Sequence, residues 1–268
     1  MALHGYRTGE PTRPKWQGRK DSNPRPSVLE TDALTRLSYA PNTPTAFYPT
    51  PHGAPARLEA VAVFLANVGV NASHAVHSPL HDDGSFDLVP IPEAMPWRPP
   101  MLRDWRGKAV HLDPDFTSTP ATYGDNCRRA GRAFSLRRAQ GGDLIVFIAR
   151  LQREAKSPGF YLVGRLEIDD VLVDVTRDPG NGWWDGNAHV RRARATNRWD
   201  SFWVFKGSAS STLLRKAVPF ARADTEAVFA DTRWPSHRTE LQTIGSYTRA
   251  VRRVVGPGEE WLRAVSLS

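Results

Sequence analysis

The chain is organised around the run Gly141-Gly142-Asp143-Leu144-Ile145-Val146-Phe147-Ile148-Ala149-Arg150-Leu151, which Gly159-Phe160-Tyr161-Leu162-Val163-Gly164-Arg165-Leu166-Glu167-Ile168 follows after a short polar break. Both runs are rich in β-branched and aromatic residues and are bounded by Gly, Pro, Lys and Ser, which predicts two neighbouring strands. The first run is apolar almost throughout, as a central strand covered on both faces would be. A third run, Val171–Val175, follows Asp169-Asp170 and predicts a further strand of one meander.

Outside this meander the pattern is weaker. We predict further strands over residues 58–70, 86–93 and 201–206, and a long loop over 176–199. Asp125 is a candidate N-cap for a basic helix reaching residue 138. The sequence predicts an α+β fold with a mostly antiparallel, barrel-like sheet, a few helices, and a single domain over residues 57–268.

Residues 1–56 have a different composition from the rest of the chain. They are rich in Pro, Arg, Thr and Ser with almost no apolar periodicity, so we predict a disordered N-terminal extension. Residues 16–41 also resemble a translated antisense transfer-RNA gene, because Asp21-Ser22-Asn23-Pro24 can be encoded by the complement of the T-loop consensus and Leu37-Ser38-Tyr39 by that of the D-arm. We therefore expect the extension to be non-native, with translation starting downstream of it.

The composition limits the classes of function. The 268 residues are 40% hydrophobic and include one cysteine, Cys127, which excludes an internal disulfide framework. No apolar run approaches membrane-spanning length, so we expect a cytoplasmic protein without a membrane partner. The net charge is +8, and 29 Lys and Arg against 24 Asp and Glu remain after residues 1–45 are set aside. This basic balance favours a nucleic acid as partner.

His111, Asp113 and Asp115 form the most concentrated polar cluster. Alternate residues of an extended segment share one face, so the three side chains could converge and act as the catalytic centre. They could bind a divalent metal or supply general acid–base chemistry to a base or a phosphate. The alternative is a Pro-centred turn in which the two carboxylates bind backbone amides. For Asp143, turn chemistry before the strand is favoured over a site role.

The segment 183–199 interleaves aromatic side chains with arginines, and the predicted helix over 128–138 is also rich in arginine. Stacking on an aromatic ring is worth ~1–3 kcal/mol per base, and arginines neutralise phosphates. The alternative is that the tryptophans pack on the sheet beside a solvated charge run. For Asn187 and His189, helix capping is favoured over reading a base edge. The predicted nucleic-acid-binding residues are Arg128, Arg129, Trp183, Trp184, Asn187, His189, Arg191, Arg192, Arg194 and Trp199.

Several signatures of other activities are absent from the sequence. There is no Gly-x-Ser-x-Gly elbow, which disfavours hydrolase chemistry. There is neither a Gly-x-Gly-x-x-Gly fingerprint nor a P-loop, so neither of these signatures indicates a nucleotide cofactor. The cofactor and any metal are therefore left unknown.

The order of several short motifs resembles one family, the type-three nucleotide-modification-associated domain family, which occurs near DNA-modifying systems in bacteria and phages. The similar motifs are Ser78-Pro79 with Asp83-Gly84 and Leu88-Val89-Pro90-Ile91-Pro92, then His111–Asp115, Gly142–Phe147, Asn187–Val190 and Trp261. The resemblance implies a DNA-associated protein of a base-modification system that acts on or recognises a base. It favours DNA over RNA and allows other modification enzymes as partners.

A second resemblance leaves the class of function open. The pair of predicted strands over 142–147 and 160–168 is similar to readers of modified bases with a PUA-like barrel. This implies a non-catalytic reader as the alternative to an enzyme.

Overall fold

The structure is a computed structural model that describes residues 61–69, 77–92, 110–129, 131–154 and 156–267. The predictions for residues 1–56 lie outside these residues, as does the side chain of His111. Residues Arg57–Ser268 form one compact unit. None of the described helices combines the length and the apolar sequence that crossing a membrane requires.

The described residues form a mixed sheet with helices on its outer surfaces. In chain order the elements are β1 (Val63–Val68), β2 (Ser78–Pro79), β3 (Ile91–Pro92), β4 (Val110–His111), β5 (Thr122–Asp125), a 3-10 helix (Phe134–Arg138), β6 (Leu144–Gln152), β7 (Gly159–Val175), α1 (Ala188–Thr196), β8 (Phe202–Gly207), β9 (Thr212–Pro219), α2 (Arg222–Val228), α3 (Glu240–Thr248), β10 (Arg252–Val254) and α4 (Pro257–Leu267).

The main sheet has the strand order β10-β1-β6-β7-β8-β5, with β2 also paired to β6 and β9 to β7. Strand β6 is parallel to β1 and β2, and the other pairings are antiparallel, which confirms the predicted α+β fold with a mostly antiparallel sheet. The sheet is open and does not close as a barrel, because β10 and β5 do not pair with each other in the described residues. Residues 126–129 and 131–138 follow β5, and the segment contacts the start of β10, where the Arg132 carbonyl accepts a hydrogen bond from the Val251 amide.

Strand β6 is the centre of the sheet, as its sequence predicts. Ile145, Phe147, Ala149 and Leu151 point into an inner core, and Leu144, Val146 and Ile148 point into an outer core beneath α2, α3 and α4. An almost continuous apolar run suits this position because both of its faces are buried.

Strand β7 is longer than the sequence predicts. Its first half pairs with β6 and its second half pairs with β8, with register shifts between Ile168 and Asp170 and between Leu172 and Val175. The exposed pair Asp169-Asp170 therefore marks the change of partner within one strand of 17 residues, and not a turn between two strands.

Two other predictions of local structure are wrong. Asp125 ends β5 and does not cap an α-helix, and only residues Phe134–Arg138 become helical, as a 3-10 helix. The chain folds back so tightly here that a Cβ on Gly131 would lie 2.1 Å from the Asn126 carbonyl oxygen. The predicted loop over 176–199 contains α1, which covers a third cluster formed by Val175, Phe202 and their neighbours.

The Asp143 carboxylate joins the beginnings of β1 and β6. It is 5% exposed, and it accepts hydrogen bonds from the backbone amides of Ala62 at 2.7 Å and of Gln140 at 3.0 Å. The favoured interpretation of Asp143 as a structural turn residue agrees with this geometry.

We expect Asp143→Ala to lower the free energy of unfolding by about 1–3 kcal/mol, because the buried amide of Ala62 loses its partner. Chemical denaturation of the purified protein measures this change. Asp82→Ala is the control, because Asp82 is an exposed turn residue. Equal stability of the two variants would contradict this role of Asp143.

Candidate functional site

The structure brings Asp113 together with a residue 76 positions away, His189. Asp113 Oδ2 lies 3.2 Å from His189 Nε2, and Asp113 Oδ1 accepts a hydrogen bond from the Gly124 amide at 2.8 Å. The side chains are 8% and 17% exposed. The Asp113 carboxylate is therefore held from two sides, by the Gly124 amide of the edge strand β5 and by the His189 ring.

Gly124 is required for this arrangement. It lies in β5, and a Cβ built on it would be 2.5 Å from His189 Cδ2 and 3.1 Å from Asn187 Oδ1. The 2.5 Å distance is too short for a Cβ, so α1 approaches β5 this closely at a glycine. Gly124 was not singled out from the sequence because the strand that contains it was not predicted.

Asn187 and α1 fix the position of the histidine. Asn187 is the N-cap, accepting a hydrogen bond from the His189 amide at 3.0 Å, and its side-chain amide donates to Thr122 Oγ1 at 3.1 Å. The favoured interpretation of Asn187 as a helix cap is confirmed by this geometry. Because the cap is also bonded to β5, the first turn of α1 is fixed to the sheet.

Arg192 completes a chain of three polar side chains. It follows His189 by three residues on α1, and its Nη2 lies 3.2 Å from His189 Nδ1. An arginine can only donate, so Nδ1 accepts, and the proton of the neutral ring is then on Nε2, facing Asp113. The position of this proton on the His189 ring is inferred from the hydrogen-bond partners of the two nitrogens.

The other two members of the predicted catalytic cluster do not join Asp113 in the described structure. Asp115 is buried, and its oxygens accept hydrogen bonds from Thr117 and Ser118, including the Thr117 amide at 2.8 Å and Ser118 Oγ at 2.7 Å. This is the turn geometry given as the alternative above. The side chain of His111 lies outside the described residues, so the structure does not relate it to Asp113.

The opposite face of β5 carries a second polar group that the sequence did not indicate. Tyr123 Oη donates to Asp125 Oδ2 at 2.6 Å, and Arg132 Nε donates to the same oxygen at 2.9 Å. Arg132 also reaches the Asn67 carbonyl oxygen at the end of β1, at 2.6 Å. The guanidinium therefore connects the two sides of the open sheet.

Burial raises the pKa of Tyr123 well above its ordinary value, and the negative charge of Asp125 acts in the same direction. Burial, followed by the charge of Asp125, also raises the pKa of the Cys127 thiol. Both groups therefore stay protonated at neutral pH, so Cys127 is a buried core residue and not a reactive thiolate.

The tryptophans of the predicted nucleic-acid segment are held within the protein. Trp183 Nε1 donates to Asp170 at 3.0 Å and Trp184 Nε1 donates to the Gly180 carbonyl at 2.9 Å. Their rings contact each other at 5.3 Å, and Trp199 stacks on Phe202 at 6.4 Å. These contacts are those of side chains packed on the sheet, which is the alternative stated for them.

The arginines of the predicted set differ in how far they are neutralised. Arg194 pairs with Asp178 at 3.1 Å and with Asp185 at 3.0 Å, and its hydrogen bonds hold the pKa of Asp178 below the ordinary value. Arg191 is half-buried on α1. Arg128 and Arg129 are exposed, and Arg128 Nε donates to the neutral side chain of Asn126; neither arginine forms an ion pair with another described residue. The charges of Arg128 and Arg129 are thus better placed for a polyanion than that of Arg194.

Within the described residues, no group of three or more His, Cys, Asp or Glu side chains has a geometry that could hold a metal ion.

The fold and the site define an α+β protein with an open mixed sheet and an Asp–His–Arg chain beside its edge strand. The chain belongs to the nucleotide modification associated domain 3 family, whose model matches residues 62–260. This confirms the family indicated by the sequence motifs and associates the protein with nucleotide modification. Neither a curated protein nor a solved structure matches the chain.

We expect Gly124→Ala to displace His189 from Asp113, because the new methyl group and the ring would occupy the same space. The overpacking should also lower the free energy of unfolding by about 1–3 kcal/mol. Imidazole nitrogen chemical shifts of the folded variant would report the loss of the Asp113 hydrogen bond. Gly245→Ala is the control, since a Cβ there meets only the Phe160 ring at 3.6 Å, an ordinary van der Waals contact. A histidine spectrum unchanged by Gly124→Ala would contradict the geometry.

The buried Tyr123 predicts sensitivity to alkaline pH. Its folded pKa lies above the ordinary value of 10.0, so the folded state keeps a proton that the unfolded chain releases. Stability is therefore lost as the pH rises through about 10, and Cys127 adds a change of the same sign from about pH 9. Denaturation between pH 8 and 11 should show this decline, and Cys127→Ala should reduce it. Ionisation of every phenol near pH 10 in a natively folded protein would contradict the prediction.

Proposed function

We propose that the protein acts on, or recognises, a base of DNA as part of a nucleotide-modification system. Asp113, His189 and Arg192 are the centre that meets the base. The observation that carries this proposal is the chain of hydrogen bonds from the Gly124 amide through Asp113 and His189 to Arg192. It joins an edge strand, a loop and a helix at a largely buried position.

The chain of contacts has the parts that acid–base chemistry requires. A histidine that acts as general base needs a partner that orients the ring through the nitrogen that does not accept the proton. For His189 this partner is Asp113, which is bonded to Nε2. When a substrate group displaces Arg192 from Nδ1, the ring can accept a proton there, and the Asp113 carboxylate stabilises the resulting imidazolium. Arg192 then remains close enough to bind an oxygen or a phosphate of the same substrate.

The basic surface supports a nucleic acid as the partner. The chain has a net charge of +8, and the segment from Asn126 to Gly142 includes five arginines and no acidic residue. Arg128 and Arg129, which are exposed, lie in this segment and follow β5, the strand that contains Gly124. We propose that they contact the DNA backbone, and that Trp183, Trp184 and Trp199 support α1 behind the site. The proposed working unit is residues 57–268, acting in the cytoplasm beside other enzymes of the modification system.

The second candidate is a non-catalytic reader of modified bases. It is favoured by one observation: both oxygens of Asp113 and both nitrogens of His189 already have partners within the protein. Groups that are fixed in this way suit the recognition of a base edge by hydrogen bonds at least as well as proton transfer. The two functions differ in whether the charge of Asp113 is required for a change in the DNA.

We expect deletion of the gene to remove a modified nucleoside from the DNA of the host or its phage, as measured by nucleoside mass spectrometry. Complementation with Asp113→Asn should fail to restore it, because the loss of general acid–base catalysis lowers a rate by roughly 10²–10⁴-fold. Asp82→Asn is the control: it removes the same charge from an exposed turn residue and should restore the nucleoside.

Three outcomes separate the possibilities. Failure of Asp113→Asn alone supports catalysis at this centre. A nucleoside profile that deletion does not change contradicts the enzyme and favours the reader, which must then bind modified duplexes more tightly than plain ones. A protein that shows neither effect and no salt-sensitive DNA binding contradicts both functions.

A further inference from the structure

A second basic site lies in the C-terminal part of the fold, between the loop that follows α2 and the helix α3. It is a surface pocket of about 350 Å³ lined by Asp231, Arg233, Arg238, Tyr247 and Arg252, among others. None of the elements that form it contributes to the Asp113–His189–Arg192 chain. The pocket is therefore a separate site.

Arg252 is held in place by aromatic rings, and no acidic side chain among the described residues pairs with it. Its guanidinium carbon lies 5.6 Å from the centre of the Phe229 ring and 5.3 Å from that of Tyr247, and those two rings stack on each other at 5.8 Å. Cation–π contacts fix the plane of a guanidinium and leave its N–H edge available to a ligand. Arg252 is thus oriented in advance of binding.

The wall that carries Arg233 is fixed by Tyr247. The Tyr247 hydroxyl accepts a hydrogen bond from the Arg233 amide at 2.9 Å and donates to the Asp231 carbonyl at 3.3 Å. The helix that carries Tyr247 begins at a capping box, in which the Thr239 side chain accepts from the Gln242 amide and the Gln242 side chain accepts from the Thr239 amide. Tyr247 therefore joins the loop after α2 to α3.

The charges in the pocket are not balanced. Three arginines face it, and Asp231 is the one carboxylate among its lining residues, which leaves a surplus of two positive charges. Within the described part of the chain, none of these three arginines forms an ion pair. Arg194, by contrast, has two acidic partners. A concave site with several unpaired guanidinium groups attracts an anion with more than one charged oxygen.

We propose that this pocket binds a phosphate group, either of a free nucleotide or of a nucleic-acid strand. A phosphate has up to two negative charges and several acceptor oxygens, so it matches both the charge surplus and the N–H donors of the three arginines that line the pocket. The pocket gives the protein a contact to phosphate away from the centre proposed to meet the base.

The experiment compares three probes: inorganic phosphate, deoxyadenosine monophosphate and a short fluorescein-labelled DNA duplex. Binding of the first two is followed by titration calorimetry and that of the duplex by fluorescence anisotropy at several salt concentrations. Arg238→Gln and Arg252→Gln are the test variants. Arg215→Gln is the matched control, because Arg215 is exposed on β9 and forms no ion pair with the described residues.

We expect both test variants to weaken binding several-fold. Each variant should also reduce the slope of the logarithm of the duplex binding constant against the logarithm of the salt concentration by about one, because one phosphate contact is lost. Weaker binding of all three probes indicates a general phosphate site, and weaker binding of the duplex alone indicates a strand phosphate. Arg252→Gln also removes a stacking contact, so Arg238→Gln, at an exposed turn, decides the result if Arg252→Gln is unstable.

The proposal is overturned if both test variants bind every probe as Arg215→Gln does, or if the wild-type protein binds none of the probes. Different readouts separate this proposal from the function proposed above. The nucleoside profile of Asp113→Asn tests that function, whereas the binding of inorganic phosphate to Arg238→Gln tests this pocket, so either can fail without the other.

Discussion

The hydrogen bonds of Arg132 hold together a sheet that does not close. One guanidinium reaches the carboxylate of Asp125 on β5 and the carbonyl of Asn67 at the end of β1, across the gap between the two parts of the sheet. Asp125 is largely buried, and a buried charge that lost its partner would be strongly destabilising. The contact therefore specifies the distance between the strands. Arg132 also accepts the Val251 amide through its carbonyl, so the same residue fixes the start of β10.

Strand β5 transmits this constraint to the candidate site. Successive side chains of a strand point to opposite faces, so Tyr123 and Asp125 face the inner core and Arg132, while Thr122 and Gly124 face α1. A shift of β5 by one residue would move the Asp125 pair out of the core and place a side chain against His189. The same register thus pairs the buried Asp125 with Arg132 on one face of β5 and places Gly124 opposite His189 on the other face. The geometry of Asp113 and His189 consequently depends on contacts of β5 in which neither residue takes part, such as the pair of Asp125 with Arg132.

The sequence predicts the parts of the fold that depend on local pattern. The apolar run around Phe147 is typical of a strand buried on both faces, and the structure confirms this. The pair Asp169-Asp170 misled the prediction because a polar interruption looks the same whether a strand ends or changes its partner. The site depends on a contact across 76 residues, so spacing within the segment 111–115 could not reveal it. Asn187 was a local signal of α1, because asparagine is favoured at the N-cap, although the segment around it was predicted as a loop.

The same limitation applies to reading function from charge. A segment rich in Arg and Trp looks like a nucleic-acid surface, but the structure shows Arg194 neutralised by two carboxylates and the indole N–H groups bonded within the protein. Around Arg252 the sequence is unremarkable, yet folding gathers arginines from three separate positions against one carboxylate. What attracts a polyanion is the charge that remains after internal pairing, and that quantity exists only in the folded chain. The basic composition predicts an anionic partner, and the arginines without an ion pair among the described residues are the positions at which that prediction can be tested.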